Sequence, residues 1–555
     1  MGVGRPAVDL ILTGGKIWTE NPAQPEAEAV AIAHRQIVFV GSSKDAIGLK
    51  EPETKVIDLR GRRVVPGFGD AHVHFYYGGS SLTSVQLRNA KSREEMRDRI
   101  AKFAASRAKG EWILLGEWDP QAWDSPALPT HELIDDVTPH NPVFVNRVDA
   151  HTMLTNSLAM KLAGVDRNTP DVAGGVIGRD AQGNPTGIVI DAAKSLIERV
   201  IPKPTVPQLA EALYAAQQHA FKFGVTAVHD MGFVGSRAAE SSADLFRAYQ
   251  SLLATGKLKI RTTLYTPLPQ WQKLANLGVQ ACFGNDTMQI GGLKGFSDGS
   301  LGSSTAWFLQ PYTDDATSVG GPSDELSDPA EMRRNLFGGD AAGLQLAIHA
   351  IGDRANQIML DTFEEISLSN GTRDRRFRIE HAQHLQPADV ARFPLMKVIA
   401  SMQPYHCIDD GRWACGRIGK ARAKEAWAFR SLLDAGATLA FGSDWWVAPI
   451  DPLAGIYAAV TRRPIDGSSP EGWIPEQKIS VREAVHAYTM GTAYAAFQDR
   501  IKGSIEAGKL ADLAILSRDI FAIDPVELAD TKVELTIVGG EVVYARDGLG
   551  SAAKG

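Results

Sequence analysis

The 555-residue chain is too long for one ordinary domain, so we expect two or three units. Its net charge of −7 is small and comes without charge blocks, and no apolar run is long enough to span a bilayer. The sequence therefore indicates neither a nucleic-acid partner nor a membrane partner. Three cysteines in so long a chain argue against a disulfide framework, and the N-terminus shows no signal-peptide pattern. We expect a cytoplasmic protein.

Both ends of the chain have a β texture. Short β-branched runs separated by turn residues fill residues 7–64 and recur after residue 510. The pair Gly14-Gly15 predicts a tight hairpin between the first two runs. Because chain termini often lie close together, we expect the two ends to form halves of one small β domain.

The central part alternates short apolar strands with segments of helical periodicity, which predicts a parallel sheet. Eight such units fit a (β/α)8 barrel over residues 65–497, with an open doubly wound sheet as the alternative. A helix is predicted over 421–435, among others. The predicted strands are 64–74, 226–231, 260–266, 288–298, 345–351, 377–384, 398–405 and 438–445.

One connection is anomalously long. The distance from the first predicted strand to the second far exceeds what one helix needs, and we interpret residues 78–205 as an insertion. In a barrel this connection lies on the catalytic face, so the insertion is expected to act as a lid or to form a substrate pocket. The alternative is a domain without a role at the site.

The first barrel strand ends in His72-Val-His74. Side chains two apart on a strand point the same way, so both imidazoles can reach one metal ion. Alone, this pattern fits ordinary half-buried histidines equally well. Chemical side chains also stand at the ends of other predicted strands, however, and a barrel brings such ends onto one ring. They are Lys294, His349, His381 and Asp444.

These motifs resemble a known superfamily. Pro66-Gly-Phe-Gly-Asp-Ala-His72-Val-His74, the strand ends at His349 and His381, and Gly-Ser-Asp444 are similar to the amidohydrolase superfamily of metal-dependent hydrolases. The motif around Lys294 and the long insertion resemble its third amidohydrolase family, which includes N-substituted formamide deformylases. The resemblance implies an α/β fold: a TIM-like (β/α)8 barrel with a composite β-sandwich from both termini, residues 1–64 plus 498–555.

The resemblance also implies a binuclear metal centre. His72 and His74 would bind one ion and His349 and His381 the second, while Asp444 would contact the first ion and act as general base. Zinc is the expected metal, with manganese or iron as alternatives.

Lys294 is the implied bridge between the two ions. Carbamylation would turn its amine into an anionic oxygen ligand, which an ammonium group cannot be. The alternative is an ordinary salt bridge, for instance to Asp298, and a site with one ion.

The implied reaction is hydrolysis of a non-peptide C–N bond in a small amide or formamide by metal-activated hydroxide. Hydrolytic deamination or opening of a cyclic amide is the alternative within the superfamily. A non-catalytic binding or regulatory protein that keeps the fold is the alternative from another class. The expected partner is a small-molecule substrate, and a homodimer is the expected assembly.

Residues around the metals are less sharply defined. His406 is a candidate donor to the oxyanion or a structural hydrogen-bonding residue. His151 could reach the pocket from the insertion or pack within the insertion. Asp353 and Glu380 each stand beside or near a predicted ligand and could orient it or cap a helix. The residues expected to line the substrate pocket are His151, Trp445, Tyr76 and Trp118.

Overall fold

A computed structural model describes residues 7–123, 127–234 and 238–546. Its centre is a sheet of eight parallel strands that follow one another in chain order around a barrel. The strands are β1 (Phe68–Val73), β2 (Val225–Asp230), β3 (Arg261–Pro267), β4 (Met288–Phe296), β5 (Gln345–Ala350), β6 (Arg378–His381), β7 (Ile399–Met402) and β8 (Thr438–Phe441).

The first and last strands meet at their carboxyl ends. The backbone N–H of Asp444 donates to His72 O at 2.7 Å, and that of His74 donates to Trp445 O at 2.7 Å. This closure, together with the sequential strand order, confirms the barrel and rules out the doubly wound sheet. Strands such as β5 are buried along their whole length, as expected where helices cover a parallel sheet.

Helices surround this barrel. One prediction among them is wrong: the helix expected over 421–435 is interrupted, because Trp427 adopts φ 46° and its N–H donates to Gln383 O at 2.7 Å. The helices are Phe75–Ser81, Val206–Phe221, Ala238–Ala254, Trp271–Asn276, Asp324–Ser327, Pro329–Ala341, Asp353–Ser369, Pro387–Val390, Arg392–Met396, Pro404–Asp410, Ala414–Ala423, Phe429–Asp434, Pro452–Thr461, Val481–Tyr488 and Met490–Ala495.

Strands from both ends of the chain form two further sheets. The strand Arg63–Pro66 pairs antiparallel with Leu513–Leu516, which ties the C-terminal segment to the N-terminal one. The hairpin predicted at Gly14-Gly15 is wrong, because the strands on either side belong to different sheets. One sheet runs Gln36–Gly41, Ala29–Ala33, Leu10–Thr13, Lys55–Asp58; the other runs Glu541–Ala545, Val533–Val538, Leu513–Leu516, Arg63–Pro66, Lys16–Trp18, Glu26–Ala27. A short helix, Ser43–Ile47, packs on the first of these sheets.

The segment between β1 and β2 has its own sheet and core. Apolar side chains around Trp118 and Trp123 are buried on one side of that sheet, and a second cluster around Phe144 is buried on the other. Its strands, in sheet order, are Gly175–Arg179, Pro185–Asp191, Thr152–Thr155, Val143–Asn146 and Ile113–Leu114, and its helices are Arg93–Ala104, Ser157–Ala163 and Ser195–Glu198. Within the described residues, no helix of the protein is long and apolar enough to cross a membrane.

Candidate metal centre

Four histidines and an aspartate converge at the carboxyl end of the barrel. The rings of His72 and His381 lie 5.0 Å apart, and those of His349 and His381 lie 4.5 Å apart, centroid to centroid. The Nε2 atoms of His72 and His74 each lie 3.5 Å from Oδ1 of Asp444. The carboxyl ends of the strands are where parallel barrels carry their active sites.

The two histidines of the first strand are each held through Nδ1. His72 Nδ1 lies 2.6 Å from Oε2 of Glu380, and His74 Nδ1 lies 2.9 Å from the carbonyl oxygen of Gly232. Burial lowers the pKa of His72 well below its usual value and that of His74 to about 3. Both imidazoles are therefore neutral, with Nε2 left as the nitrogen for a metal ion.

The other two histidines are also each held through one ring nitrogen, by different partners. His381 Nδ1 lies 2.7 Å from Oε1 of Gln403, whereas His349 uses Nε2, 3.0 Å from the carbonyl oxygen of Gly299. His349 is thus left with Nδ1, and His381 with Nε2, as the free nitrogen. Burial lowers the pKa of both rings, which favours their neutral forms.

Glu380 is itself fixed by a buried arginine. Nε of Arg378 lies 2.8 Å from Glu380 Oε1, and both side chains are completely buried. Arg378 also donates to Tyr265 Oη at 2.8 Å and lies 2.9 Å from His229 Nδ1. The chain of contacts from Arg378 through Glu380 to His72 keeps a negative charge behind the imidazole, which increases its strength as a ligand.

Two of the converging residues stand in strained backbone. His381 adopts φ 74° and Asp444 adopts φ 59°. A left-handed conformation costs a non-glycine residue about 1–3 kcal/mol and persists where surrounding contacts enforce it. At both strand ends the chain therefore turns sharply and presents a side chain to the ring of ligands.

Lys294 lies in the same ring. It is 2% exposed, and its Nζ lies 4.5 Å above the ring of Phe296 without a hydrogen-bond partner among the described residues. Burial lowers the pKa of Lys294 to about 8. The expected alternative, a salt bridge to Asp298, is wrong: that carboxylate accepts the backbone N–H groups of Ile351 and Gly352 at 3.0 and 2.8 Å.

The donor set fits divalent metal ions. Buried polar atoms normally have hydrogen-bond partners, yet His72 Nε2, Asp444 Oδ1 and Lys294 Nζ have none in the described part of the chain. Burial raises the pKa of Asp444 to about 8, as expected for a carboxylate removed from water, although Lys294 opposes the rise. A cation among these atoms would satisfy His72 Nε2 and Asp444 Oδ1.

Two groups of three residues place their ligand atoms within 4.8 Å of one another. One is His72, His74 and Asp444, and the other is His381, His406 and Asp444. His406, a candidate oxyanion donor or structural residue from the sequence, therefore lies as close to the centre as a ligand does. Its Nε2 is buried without a partner among the described residues, and burial lowers its pKa to about 4.

A cavity of about 880 Å³ opens above these residues. The barrel contributes its floor, and the insertion contributes part of its wall, including His151. His151 Nδ1 lies 2.5 Å from Asp191 Oδ1, so its ring is held by another residue of the insertion. The insertion therefore reaches the cavity, as expected for a lid or pocket.

Three of the four residues expected to line the cavity lie outside its lining. Trp118 is completely buried in the insertion and donates to Val145 O at 3.0 Å. Trp445 packs on the helix after His74, where a Cβ on Gly78 would come within 2.3 Å of its ring. Tyr76 packs against Phe233, whereas the neighbouring Trp446 does line the cavity.

The two acidic residues next to the ligands have different roles. Glu380 orients His72, a residue more than 300 positions away in the chain, and not its neighbour His381. Asp353 accepts the backbone N–H of Leu309 at 2.8 Å and fixes that loop. Sequence reasoning missed Arg378, although its place two residues before Glu380 on one strand indicates that both point into the barrel.

Comparison with known proteins agrees with this geometry. The model of the amidohydrolase family matches residues 55–544. The chain belongs to the amidohydrolase family. The expected resemblance is thereby confirmed. The chain is a metal-dependent hydrolase of this family.

Three similar proteins match nearly the whole length of this amidohydrolase. The Protein LONG AFTER FAR-RED 3 of Arabidopsis thaliana is 40% identical and covers 97% of this chain and 91% of its own. The N-substituted formamide deformylase of Arthrobacter pascens is 27% identical over 97% of this chain and 99% of its own. A crystal structure of an uncharacterised metal-dependent hydrolase from Pyrococcus horikoshii matches with a TM-score of 0.75 and 29% identity over 93% of this chain and 99% of its own.

Proposed function

We propose that this amidohydrolase hydrolyses a non-peptide C–N bond in a small amide or formamide, using two divalent metal ions, with zinc as the expected metal. The observation that carries the proposal is the set of buried, unpaired ligand atoms of His72, Asp444 and Lys294 on the cavity floor. The name of the Arthrobacter relative, a formamide deformylase, supports the formamide class.

The residues would divide between the two ions. His72 and His74 would hold one ion together with Asp444, and His349 and His381 would hold the other. Bound metal would acidify a water molecule towards neutral pH and polarise the scissile carbonyl group. All other steps fall to side chains of the chain itself.

Lys294 would bridge the ions as a carbamate. The neutral amine attacks carbon dioxide, an N–C bond forms, and one proton is released to solvent. Burial favours this step because it lowers the pKa of Lys294 and so raises the share of neutral amine. Lys294 lines the cavity, which would give the new carboxylate group space.

Asp444 would move the proton. Its carboxylate lies beside the Nε2 atoms of both first-strand histidines and takes a proton from the attacking water. It then returns that proton to the leaving nitrogen as the C–N bond breaks. His406, whose ring nitrogen lies close to Asp444, would stabilise the oxyanion of the tetrahedral intermediate.

A hydrolysis screen tests this proposal. The protein is loaded separately with zinc, manganese or iron and offered formamides, amides, esters, cyclic ureas and aminoheterocycles. Turnover of formamides or amides is the expected result. Ammonia released from heterocycles would favour a deaminase, and silence of the metal-loaded protein across the panel would favour a non-catalytic role.

A further inference from the structure

The insertion contributes His151 to the wall of the cavity. Nδ1 of this ring lies 2.5 Å from Oδ1 of Asp191, and the backbone N–H of Asp191 donates to His151 O at 3.0 Å. Within the described residues, the hydrogen bond and the ion pair of the His151 ring both involve Nδ1 and leave Nε2 without a partner. Nε2 is therefore the polar atom that this side chain offers to the cavity.

Asp191 fixes the tautomer of the His151 ring. Burial raises the pKa of the Asp191 carboxyl, but the charge of His151 and the hydrogen bond to it oppose this rise, and the pKa lies below its ordinary value. An ionised carboxylate only accepts hydrogen bonds, so the proton of the neutral ring stands on Nδ1 and Nε2 keeps its lone pair. The neutral ring thus presents a hydrogen-bond acceptor to the cavity.

Contacts from several segments hold this pair in place. Asp149 Oδ1 accepts the backbone N–H of His151 at 3.0 Å. Asp191 adopts φ 48°, which is uncommon for a residue with a side chain. The hydroxyl of Thr305, in the loop after β4, hydrogen-bonds the Asp191 carboxylate and so ties the pair to the barrel. The ring is therefore fixed before a ligand enters the cavity.

The charges near this pair favour a neutral ligand group over an anion. Asp324 also lines the cavity, and burial, followed by the charge of Asp191, raises its pKa. Lys194 opposes that rise, and its Nζ donates to Ala150 O at 3.0 Å. An anion at Nε2 of His151 would lie near two carboxylates, whereas a neutral N–H or O–H group can donate to the lone pair without this repulsion.

We propose that His151 is a substrate-binding residue whose Nε2 accepts a hydrogen bond from a neutral hydroxyl or amide N–H group on the substrate, away from the scissile bond. Asp191 is the positioning residue that keeps Nε2 unprotonated. The inference deepens the proposed function and rests on it for the place of the scissile group at the metal centre. It assigns to the insertion a choice between substrate tails that the metal ligands do not make.

Formamides with matched tails test the inference. N-(ω-hydroxyalkyl)formamides with chains of three to six carbons are compared with analogues in which a methyl group replaces the hydroxyl group. At the chain length that reaches His151, kcat/KM of the hydroxyl compound should exceed that of its analogue about five- to tenfold, through KM, as expected for one neutral hydrogen bond. Equal kcat/KM for both tails at every length would overturn the inference and leave the proposed hydrolysis intact.

Variants of the pair separate recognition from a structural role. His151→Leu should remove the preference for the hydroxyl tail, and His151→Gln should keep part of it, because its amide oxygen can replace Nε2 as acceptor. Asp191→Asn should raise KM for the hydroxyl compounds towards that of their analogues, because an amide that donates to Nδ1 moves the ring proton to Nε2. A preference unchanged by His151→Leu would overturn the inference.

A second histidine–aspartate pair of the insertion provides the matched control. His131 Nδ1 lies 2.8 Å from Oδ2 of Asp135, and neither residue is among those that line the cavity. His131→Leu and Asp135→Asn should keep the preference, and equal loss in these variants would overturn the inference. A wild-type preference for tails that end in a carboxylate would also overturn it, because only a protonated ring donates to an anion.

A binding measurement covers the case in which no formamide is hydrolysed. Hydroxamates bind zinc, so ω-hydroxyalkyl hydroxamates and their alkyl analogues report the tail contact on the zinc-loaded protein by calorimetry, without turnover. Tighter binding of the hydroxyl compound, weakened about fivefold by His151→Leu and kept by His131→Leu, would support the inference even if the proposed C–N hydrolysis failed. Equal affinity of the wild type for both tails at every length would overturn it.

Discussion

The inner end of the cavity and its outer wall are built differently. At the inner end, each imidazole of the ligand ring is fixed by a second buried contact, such as Glu380 behind His72 or Gln403 behind His381. On the outer wall, charged groups come from the insertion and from the segment after β7 and pair with one another, as Arg412 does with Asp119 at 3.3 Å and Arg147 with Asp149 at 3.5 Å. The inner end thus leaves buried ligand atoms unpaired within the described residues, whereas these charges of the outer wall are held in ion pairs.

The largest expected effect on catalysis comes from substitution of Asp444 at the inner end of the cavity. Asp444→Asn removes the proposed general base and a ligand of the first ion, and kcat should fall about 1,000-fold. Steady-state kinetics on metal-loaded protein measures this. Asp434→Asn, on the surface, is the control and should leave kcat unchanged. If kcat of the Asp444→Asn variant falls less than tenfold, another group moves the proton.

A smaller effect is expected one contact behind the ligands. Glu380→Gln removes the negative charge from His72 Nδ1, and the dissociation constant of the first ion should rise about 10- to 100-fold. Metal titration with a competing chelator measures it. Asp353→Asn alters a buried carboxylate of the same barrel end that fixes a loop, and should leave metal affinity unchanged. Equal loss in both variants would mean that general destabilisation, rather than orientation of His72, causes the effect.

The smallest effect on catalysis is expected from the core of the insertion. Trp118→Ala empties a fully buried site and should lower the free energy of unfolding by about 3–5 kcal/mol, while Trp118→Phe should cost less. Because Trp118 lies outside the cavity lining, KM of the folded Trp118→Phe variant should match the wild type. Denaturant unfolding measures the free energy of unfolding of both variants, and steady-state kinetics measures KM. A severalfold change in KM at unchanged stability would show that Trp118 contributes to the substrate pocket.

Sequence reasoning succeeded where the fold repeats a local rule. Alternating strands and helices predicted the barrel, and residues at strand ends such as His72 and His349 come together because parallel strands share one rim. The hairpin at Gly14-Gly15 failed because the choice between two sheets depends on pairing with strands hundreds of residues away. The helix over 421–435 failed because a tertiary hydrogen bond at Trp427 interrupts a favourable periodicity.

The pocket was less predictable than the metal ligands. Adjacent tryptophans 445 and 446 have the same chemistry, yet the fold packs Trp445 against Gly78 and His219 while Trp446 faces the cavity. The pairing of Arg412 with Asp119 at 3.3 Å depends on which partner the fold brings to each charge. No local pattern carries that information, because the partners come from distant segments.

The proposed mechanism requires a pair of metal ions bridged by carbamylated Lys294. Anomalous diffraction from crystals of the zinc-loaded protein, collected at the zinc edge in bicarbonate buffer, tests it most directly. We predict two peaks, one against His72 and His74 and one against His349 and His381, with continuous density from Lys294 reaching both. A single peak with Lys294 as a bare amine would contradict the account.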